Sequence, residues 1–166
     1  MQSNDNLYDV CVRGAGIVGC TLALALSRQG LAVALQAPPH DAAREDVRAY
    51  ALNAASVALL DSLKVWEALP ADARTAVFDM RVEGDAAAAV LRFSAWQQQV
   101  RELAWIVDAA ALEAELAAAL RYAPHVSMTA DAVSARLLVL AEGRASATRE
   151  RLGVDFETHD YGQTGI

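Results

Sequence analysis

Three glycines near the N-terminus have the spacing of a nucleotide-binding turn. The segment GAGIVG at residues 14–19 has the pattern GxGxxG, and it lies between an apolar run and a long helical run. In such a turn Gly14 would permit the tight bend, Gly16 would let a pyrophosphate approach the backbone, and Gly19 would let helix and strand pack closely. Ile17 would begin the helix whose free N–H groups face the phosphates. These four residues are predicted to bind a dinucleotide, and a tight turn without a ligand is the alternative.

The residue expected at the adenosine ribose is unusual in this chain. A dinucleotide-binding unit normally has Asp or Glu at the end of its second strand, some twenty residues after the glycines. This chain has Gln36 there. An amide can exchange hydrogen bonds with a ribose hydroxyl, but it lacks the charge that strengthens them. Gln36 therefore predicts a weaker ribose contact, and it removes a repulsion against a ribose phosphate, although the next basic residue in the sequence is Arg44.

The segments around the glycines predict the elements that position them. Residues 10–12 are an apolar run typical of a strand, residues 17–28 have no helix breaker before Gly30, and residues 31–35 form a second apolar run. This order predicts a strand, a helix and a parallel strand joined by a right-handed crossover.

The rest of the chain alternates helical and extended patterns. The sequence predicts a loop at 37–46, a helix over 52–63, a hairpin of strands 76–83 and 90–93, a helix over 109–122 that Asp108 caps, a strand over 137–140 and a strand-like segment at 155–166. The predicted fold class is α/β, a Rossmann-like dinucleotide-binding fold with an inserted antiparallel β element.

Composition excludes several function classes. The 166 residues are 55% hydrophobic and 21% charged, which is enough apolar material for one packed domain. A net charge of −7 argues against a nucleic-acid partner. The apolar run at 15–26 is too short to span a bilayer, and the polar N-terminus lacks the features of a secretion signal, so a cytoplasmic location is expected.

The cysteines and histidines of the sequence do not indicate a metal or redox site. Cys11 and Cys20 match neither a zinc nor a CxxC spacing, and they are predicted to be packing residues. The histidines, at positions 40, 125 and 159, are too scattered for a metal triad. No metal site is predicted.

Four motifs in order resemble a known enzyme family. They are GAGIVG, DVRAYALNAASVALLDSLKVWEAL, LLVLAEGRASATRERLG and HDYGQTGI. The chain resembles the FAD-dependent aromatic hydroxylases of ubiquinone biosynthesis, the polyprenyl-methoxyphenol hydroxylase group of the para-hydroxybenzoate hydroxylase superfamily. The resemblance implies FAD as cofactor, NAD(P)H as electron donor, and O2-dependent hydroxylation of a small aromatic substrate, a polyprenyl phenol. It implies no catalytic side chain here, because the flavin carries the reaction.

Further site residues are implied by this resemblance. Arg48 in VRAYAL is similar to the arginine that lies beside the flavin and its phosphates. Glu142 and Gly143 are similar to the Asp-Gly pair near the pyrophosphate, with Arg149 downstream, although Glu adds a methylene. By its position, Arg101 is a weaker candidate for a flavin contact.

The resemblance also implies a domain organisation. Residues 1–154 would be a partial FAD-binding domain with the antiparallel strands at 76–93 inserted, and 155–166 would start the substrate-domain sheet, the remainder being absent. On this interpretation the chain is a truncated, N-terminal fragment that is inactive alone. Its strands at 76–93 and 155–166 would pair and leave edges that favour self-association, and the intact protein would associate with a membrane surface or a biosynthetic complex.

Two other classes of function are kept as alternatives. A nicotinamide-dependent dehydrogenase needs a catalytic pair such as Tyr and Lys, but Lys64 is the single lysine and has no tyrosine at the required spacing. A non-catalytic dinucleotide-fold module that binds a protein partner is the second alternative. Flavin absorbance of the purified protein would distinguish the flavoprotein from both.

Overall fold

A central parallel sheet and two antiparallel elements form the fold in the computed structural model, which describes residues 7–37, 47–86, 88–144 and 146–162. In chain order the elements are β1 (Tyr8–Arg13), α1 (Ile17–Arg28), β2 (Val33–Gln36), β3 (Ala49–Leu52), α2 (Ala54–Ser62), a short 3-10 helix (Ala71–Ala73), β4 (Arg74–Val77), β5 (Asp79–Glu83), β6 (Val90–Ser94), β7 (Ala104–Asp108), α3 (Ala109–Leu120), β8 (Val126–Thr129), β9 (Ala135–Leu140) and α4 (Ala147–Arg151).

The central sheet has four parallel strands in the order β8-β2-β1-β9. Its first strands and helix confirm the predicted strand–helix–strand unit, with β2 starting at Val33. In the register of the sheet, Arg13 at the end of β1 lies opposite Gln36 on one side and Leu140 on the other. The carboxyl ends of three strands therefore meet next to the glycine turn.

One helix packs against this sheet, and a second helix packs against the first. α1 packs against β1 and β2, and α3 packs against α1. The inward side chains of α3 recur at helical spacing, and Leu112 and Leu116 are fully buried. α3 begins where predicted, because the Asp108 carboxylate accepts a hydrogen bond of 2.8 Å from the Ala111 backbone N–H.

The inserted antiparallel region differs from the prediction. Residues 76–83 were expected to form one strand, but β4 ends at Val77 and β5 begins at Asp79. The two strands belong to different sheets: β4 and β3 flank β7, whereas β5 pairs with β6 in the predicted hairpin. Phe78 separates β4 from β5, and its carbonyl accepts a hydrogen bond of 2.8 Å from the N–H of Ala95, the residue after β6. The pairing of Phe78 therefore already belongs to the hairpin.

Other elements also differ from the sequence prediction. Five were not predicted: β3, the short 3-10 helix, β7, β8 and α4. The predicted helix over 52–63 begins only after Asn53, whose side chain caps it by accepting a 2.9 Å hydrogen bond from the Ser56 N–H. The described residues 155–162 form no strand and do not pair with the hairpin, so the strand expected there is wrong over that range. Residues 163–166 lie outside the described part.

The described residues include both cysteines and two of the three histidines. Cys11 and Cys20 are free and buried, as predicted. No group of three or more His, Cys, Asp or Glu residues in the described ranges could hold a metal ion. None of the described helices is long and apolar enough to cross a membrane. His40 and Arg44 lie outside the described residues.

Candidate nucleotide-binding site

The turn after β1 can be made only by glycine at its first position. Gly14 has φ +106°, a conformation that residues with a side chain rarely adopt. A Cβ atom on Gly14 would lie 2.3 Å from the carbonyl oxygen of Ala141 at the end of β9. The Gly14 N–H donates a hydrogen bond of 2.8 Å to the Gln36 carbonyl, and Ala141 donates one of 2.7 Å to the Arg13 carbonyl. The turn is therefore held between β2 and β9.

The other two glycines of the turn have opposite surroundings. A Cβ on Gly19 would lie 1.8 Å from the Gly14 carbonyl oxygen, so the helix can approach the turn only because residue 19 has no side chain. Among the described residues, no atom would lie within 4 Å of a Cβ on Gly16. Gly16 is exposed at the N-cap of α1, and no described side chain caps the helix that Ile17 begins. The turn is thus closed towards the protein and open towards a ligand, which fits a pyrophosphate at the helix N-terminus.

The side chain of Gln36 is directed into a cluster at the edge of the sheet. Its Oε1 accepts a hydrogen bond of 2.7 Å from Arg13 Nε, and its Nε2 donates one of 2.9 Å to the Asp131 carbonyl. Arg13 Nη1 also donates to Thr148 Oγ1 at 3.3 Å. Gln36 therefore lies beside the glycine turn, and a basic side chain that the sequence analysis did not select joins it there.

Glu142 organises the loop that follows β9. Its carboxylate accepts hydrogen bonds from Ser146 Oγ at 2.5 Å, from Thr148 Oγ1 at 2.8 Å and from the Thr148 N–H at 3.3 Å. Hydrogen bonds from Ser146 and Thr148 lower the pKa of Glu142 below its usual range, with a smaller contribution from the charge of Arg13. Glu142 is therefore held as an anion, and it is not a freely solvated residue.

The next residues of this loop turn back towards the protein. Gly143 has φ +74°, so it supplies a left-handed turn after the strand. Nη2 of Arg149 donates a hydrogen bond of 2.9 Å to the Arg144 carbonyl. The Arg149 guanidinium also lies over the Phe156 ring, 4.0 Å from the ring centre. Its Nε is buried and has no hydrogen-bond partner among the described residues. Glu142, Gly143 and the glycine turn are adjacent, because a Cβ on Gly14 would also lie 2.9 Å from the Glu142 nitrogen.

Arg48 lies near the start of β3, with its side chain 64% exposed. Its guanidinium is 3.9 Å from the Glu113 carboxylate on α3 and 5.8 Å from the centre of the Tyr50 ring. Glu113 belongs to α3, which packs against α1. Burial and, to a smaller extent, the charge of Glu113 together raise the pKa of the Cys20 thiol on α1 to about 11. These contacts place Arg48 on the side of the first half of α1, and its contact with flavin phosphates stays a prediction.

The remaining polar candidates lie in other surroundings. Lys64 has φ +62° in the loop after α2, and its ammonium is 3.9 Å from the Glu67 carboxylate, an exposed pair. Arg101 is exposed in the segment between β6 and β7.

A cavity of about 580 Å³ lies at the C-terminal end of α1, lined in part by Arg28, Tyr122 and His125. The glycine turn is at the opposite end of that helix.

Sequence reasoning missed Arg13, Ser146 and Thr148 as residues of the site. A signal for Arg13 was present, because it directly precedes Gly14 at the end of a predicted parallel strand. Neighbouring parallel strands align their carboxyl ends, so Arg13 and Gln36 could have been placed side by side. Ser146 and Thr148 had no comparable signal, because α4 is a helix of only five residues.

Comparison with known proteins gives a family and a fold. A family described as "FAD binding domain" matches residues 7–165. The ubiquinone hydroxylase UbiL of Rhodospirillum rubrum is 30% identical over 99% of this chain and 44% of the relative. The 3-demethoxyubiquinol 3-hydroxylase of Escherichia coli is 27% identical over 94% of this chain and 46% of the relative. The chain therefore spans about half the length of the curated relatives it matches.

Solved structures share the fold at low sequence identity. PqsL of Pseudomonas aeruginosa matches with a TM-score of 0.75 at 21% identity, over 94% of this chain and 48% of that one. The p-nitrophenol 4-monooxygenase PnpA of Pseudomonas putida matches with a TM-score of 0.72 at 16% identity, over 91% of this chain and 45% of that one. These likenesses confirm the predicted α/β, Rossmann-like fold.

Proposed function

The chain belongs to the FAD-binding domain family, and from that premise we propose that its glycine turn binds the ADP part of FAD in a flavoprotein monooxygenase. The observation that carries this proposal is the contrast within the turn. Side chains are excluded at Gly14 and Gly19 by backbone atoms, whereas the space at Gly16 is open. Such a turn holds its own shape and leaves one face for a pyrophosphate.

The residues of the chain would position the cofactor. The uncapped N–H groups of α1 would donate to the pyrophosphate, which the positive end of the helix dipole also favours. The guanidinium of Arg48, by resemblance, would approach the flavin side of the phosphates. The Glu142–Gly143 turn would support the glycine turn from the β9 side, since Glu142 is held in place by Ser146 and Thr148. FAD would supply the redox chemistry with NAD(P)H and O2.

For the whole protein we propose hydroxylation of a small aromatic substrate, a polyprenyl phenol. This proposal is supported by two relatives whose names describe ubiquinone-related hydroxylases. We propose that residues 1–154 are the FAD-binding part and that 155–166 lead into a substrate domain. The 166-residue chain alone is expected not to couple NAD(P)H oxidation to hydroxylation, because its proposed cofactor residues would contact only the ADP end and one side of the flavin.

We also propose a cytoplasmic location and a surface contact with membrane or complex partners. The location is supported by Cys11 and Cys20, two free thiols, which are usual in a reducing compartment. The surface contact is supported by exposed apolar side chains on the β5–β6 hairpin, among them Leu91 at 56% and Val82 at 48%.

The cofactor proposal is tested by titrating the purified chain with FAD. We expect one FAD per chain, read from the flavin absorbance that stays with the protein after desalting. NAD⁺ is titrated in parallel by calorimetry. A chain with normal helical circular dichroism that binds no FAD would contradict the proposal, and binding of NAD⁺ alone would support the dehydrogenase alternative.

A further inference from the structure

A basic side chain lies beside the position at which a dinucleotide-binding unit normally has an acid. Arg13 at the end of β1 lies opposite Gln36 in the sheet register, and Arg13 Nε is 2.7 Å from Gln36 Oε1. The end of β2 is the place where an acidic residue binds the ribose 2′-hydroxyl and repels a phosphate at that position. In this chain the same place carries an amide and a guanidinium.

The amide of Gln36 is already engaged by the protein. Its Oε1 accepts from Arg13 and lies 4.0 Å from the thiol sulfur of Cys11. Its Nε2 donates hydrogen bonds to the Asp131 carbonyl at 2.9 Å and to the Ala130 carbonyl at 3.4 Å. Both ends of the amide therefore have partners, and a ribose hydroxyl would have to displace one of them.

Arg13, in contrast, keeps donors for a ligand. A guanidinium carries five N–H donors, and within the described ranges Arg13 makes hydrogen bonds only to Gln36 and Thr148. No described carboxylate lies within 4.0 Å of its nitrogens. The nearest anion of the cluster, Glu142, is bound to Ser146 and Thr148. The guanidinium of Arg13 is thus held by two hydrogen bonds, and no carboxylate in the described part of the chain forms an ion pair with it.

We infer that Arg13, rather than Gln36, is the side chain that meets the adenosine ribose, and that this subsite accepts a phosphate on the ribose 2′-hydroxyl. The inference rests on the proposed function in one respect, that the glycine turn binds an adenosine diphosphate group. An arginine near the end of β2 is the group that accommodates a 2′-phosphate, because its planar fork pairs with phosphate oxygens. The ribose subsite therefore tolerates FAD and also admits a more anionic nucleotide.

The test compares two ligands that differ only in the ribose phosphate. ADP and 2′-phospho-ADP are titrated by calorimetry against the full chain and against variants of it. The unmodified chain is expected to bind 2′-phospho-ADP at least as tightly as ADP. In Arg13→Leu the preference for 2′-phospho-ADP should fall about tenfold or more, the scale of one lost charge-assisted hydrogen bond.

Two further variants control this measurement. Arg92→Leu removes the same charge from the exposed β5–β6 hairpin and should leave the ratio of the two affinities unchanged. Gln36→Glu places a carboxylate beside the ligand and should shift the preference towards ADP; this variant keeps the test valid if Arg13→Leu does not fold.

The outcomes separate this inference from the cofactor proposal. If FAD binds but the unmodified chain prefers ADP, or if neither Arg13→Leu nor Gln36→Glu changes the ratio, the inference is overturned and the proposed function stands. If neither FAD nor either adenosine nucleotide binds to the folded chain, the proposed function fails, and the ribose subsite fails with it.

Discussion

Single glycines of the turn are predicted to respond very differently to substitution. Gly16→Val places a branched side chain where no atom of the described ranges lies within 4 Å, at an N-cap with an ordinary extended conformation. We expect FAD binding to fall below detection, because the new side chain occupies the approach to the pyrophosphate. The free energy of unfolding should change by no more than about 1 kcal/mol, the scale of an N-cap substitution. FAD titration and urea unfolding measure the two effects.

Gly19→Ala is the matched variant for that experiment. Its Cβ would lie 1.8 Å from the Gly14 carbonyl oxygen, which belongs to the backbone and cannot rotate away. We expect the free energy of unfolding to fall by about 3 kcal/mol, the upper end for overpacking in a packed interior. Equal unfolding midpoints for Gly16→Val and Gly19→Ala would contradict the packing described for the turn.

The carboxylate of Glu142 is predicted to make stability depend on pH. Because its pKa is lowered from the ordinary 4.5 by hydrogen bonds from Ser146 and Thr148, the folded chain binds a proton there less readily than the unfolded chain. Its contribution is fully present above pH 4.5 and is lost as the pH falls through the lowered pKa. Glu142→Gln should thus be less stable than the unmodified chain at pH 7, and the difference should shrink below pH 4.5.

The control for this pH series is Asp85→Asn, which changes an exposed carboxylate in the hairpin turn. Urea unfolding of the three proteins between pH 3 and pH 7 gives the comparison. A difference between Glu142→Gln and the unmodified chain that stays constant over this range would show that folding does not lower the pKa of the carboxylate.

At the scale of elements, an arginine of α1 forms hydrogen bonds with backbone carbonyls at the C-terminal end of α2. The Arg28 guanidinium donates hydrogen bonds to the carbonyls of Ser62 and Leu63, the latter at 2.9 Å. These carbonyls are among those that a helix leaves without partners in its last turn. Arg28→Leu should lower the free energy of unfolding by about 1–2 kcal/mol, reduced from the value for buried charged hydrogen bonds because the arginine is partly exposed.

The same substitution at Arg121 is the control for Arg28. Arg121 is exposed at the C-cap of α3, so Arg121→Leu removes an equal charge from a comparable position. Thermal unfolding of both variants is sufficient for the comparison. Identical unfolding temperatures would show that the contact between α1 and α2 adds nothing to stability.

Elements with a strong periodic or apolar signal were predictable from the sequence. α3 repeats leucine at helical spacing and has Asp108 as a cap, and the first parallel strands are short apolar runs beside a glycine motif. β3, β7 and β8 have only four or five residues each and are stabilised by partners distant in sequence. Their local pattern is too short to distinguish them from loops, because pairing across the sheet determines such strands.

The site was predictable where one backbone conformation requires one residue type. Nearby backbone atoms exclude any side chain at positions 14 and 19, so both must be glycine. The GxGxxG motif shows this requirement in the sequence. Arg13 was missed because its role depends on strand register, which brings it opposite Gln36. Glu142 had a sequence signal as half of a Glu-Gly pair, but its hydrogen bonds come from α4, an element that the sequence did not predict.

For the whole molecule, the β5–β6 hairpin is expected to control association. Met80, Val82, Leu91 and Phe93 pair across the two strands and form one apolar face, and all are 38% to 56% exposed. A two-stranded sheet also has two free edges. We expect the chain to form dimers or larger species at micromolar concentration in sedimentation velocity experiments. Replacing Leu91 and Phe93 together by Thr should shift the chain to monomer.

Val90→Thr is the control for the hairpin. Val90 belongs to the same strand, but it pairs with Glu83 on the opposite, charged face. This variant should associate like the unmodified chain. The apolar face does not direct self-association if the unmodified chain is already a monomer. The same conclusion follows if Val90→Thr shifts the chain to monomer as strongly as the double replacement of Leu91 and Phe93.

The position of β1 between β2 and β9 also determines when the nucleotide turn can form during synthesis. β2 follows β1 closely in the chain, but β9 is made only after the antiparallel region and α3. Gly14 rests against Ala141, and Arg13 accepts its hydrogen bond from that same residue. A nascent chain on the ribosome therefore carries the complete glycine motif long before the strand that supports it has emerged. Non-local pairing of this kind slows folding, so the cofactor can assist only the last step of folding and cannot act as an early template.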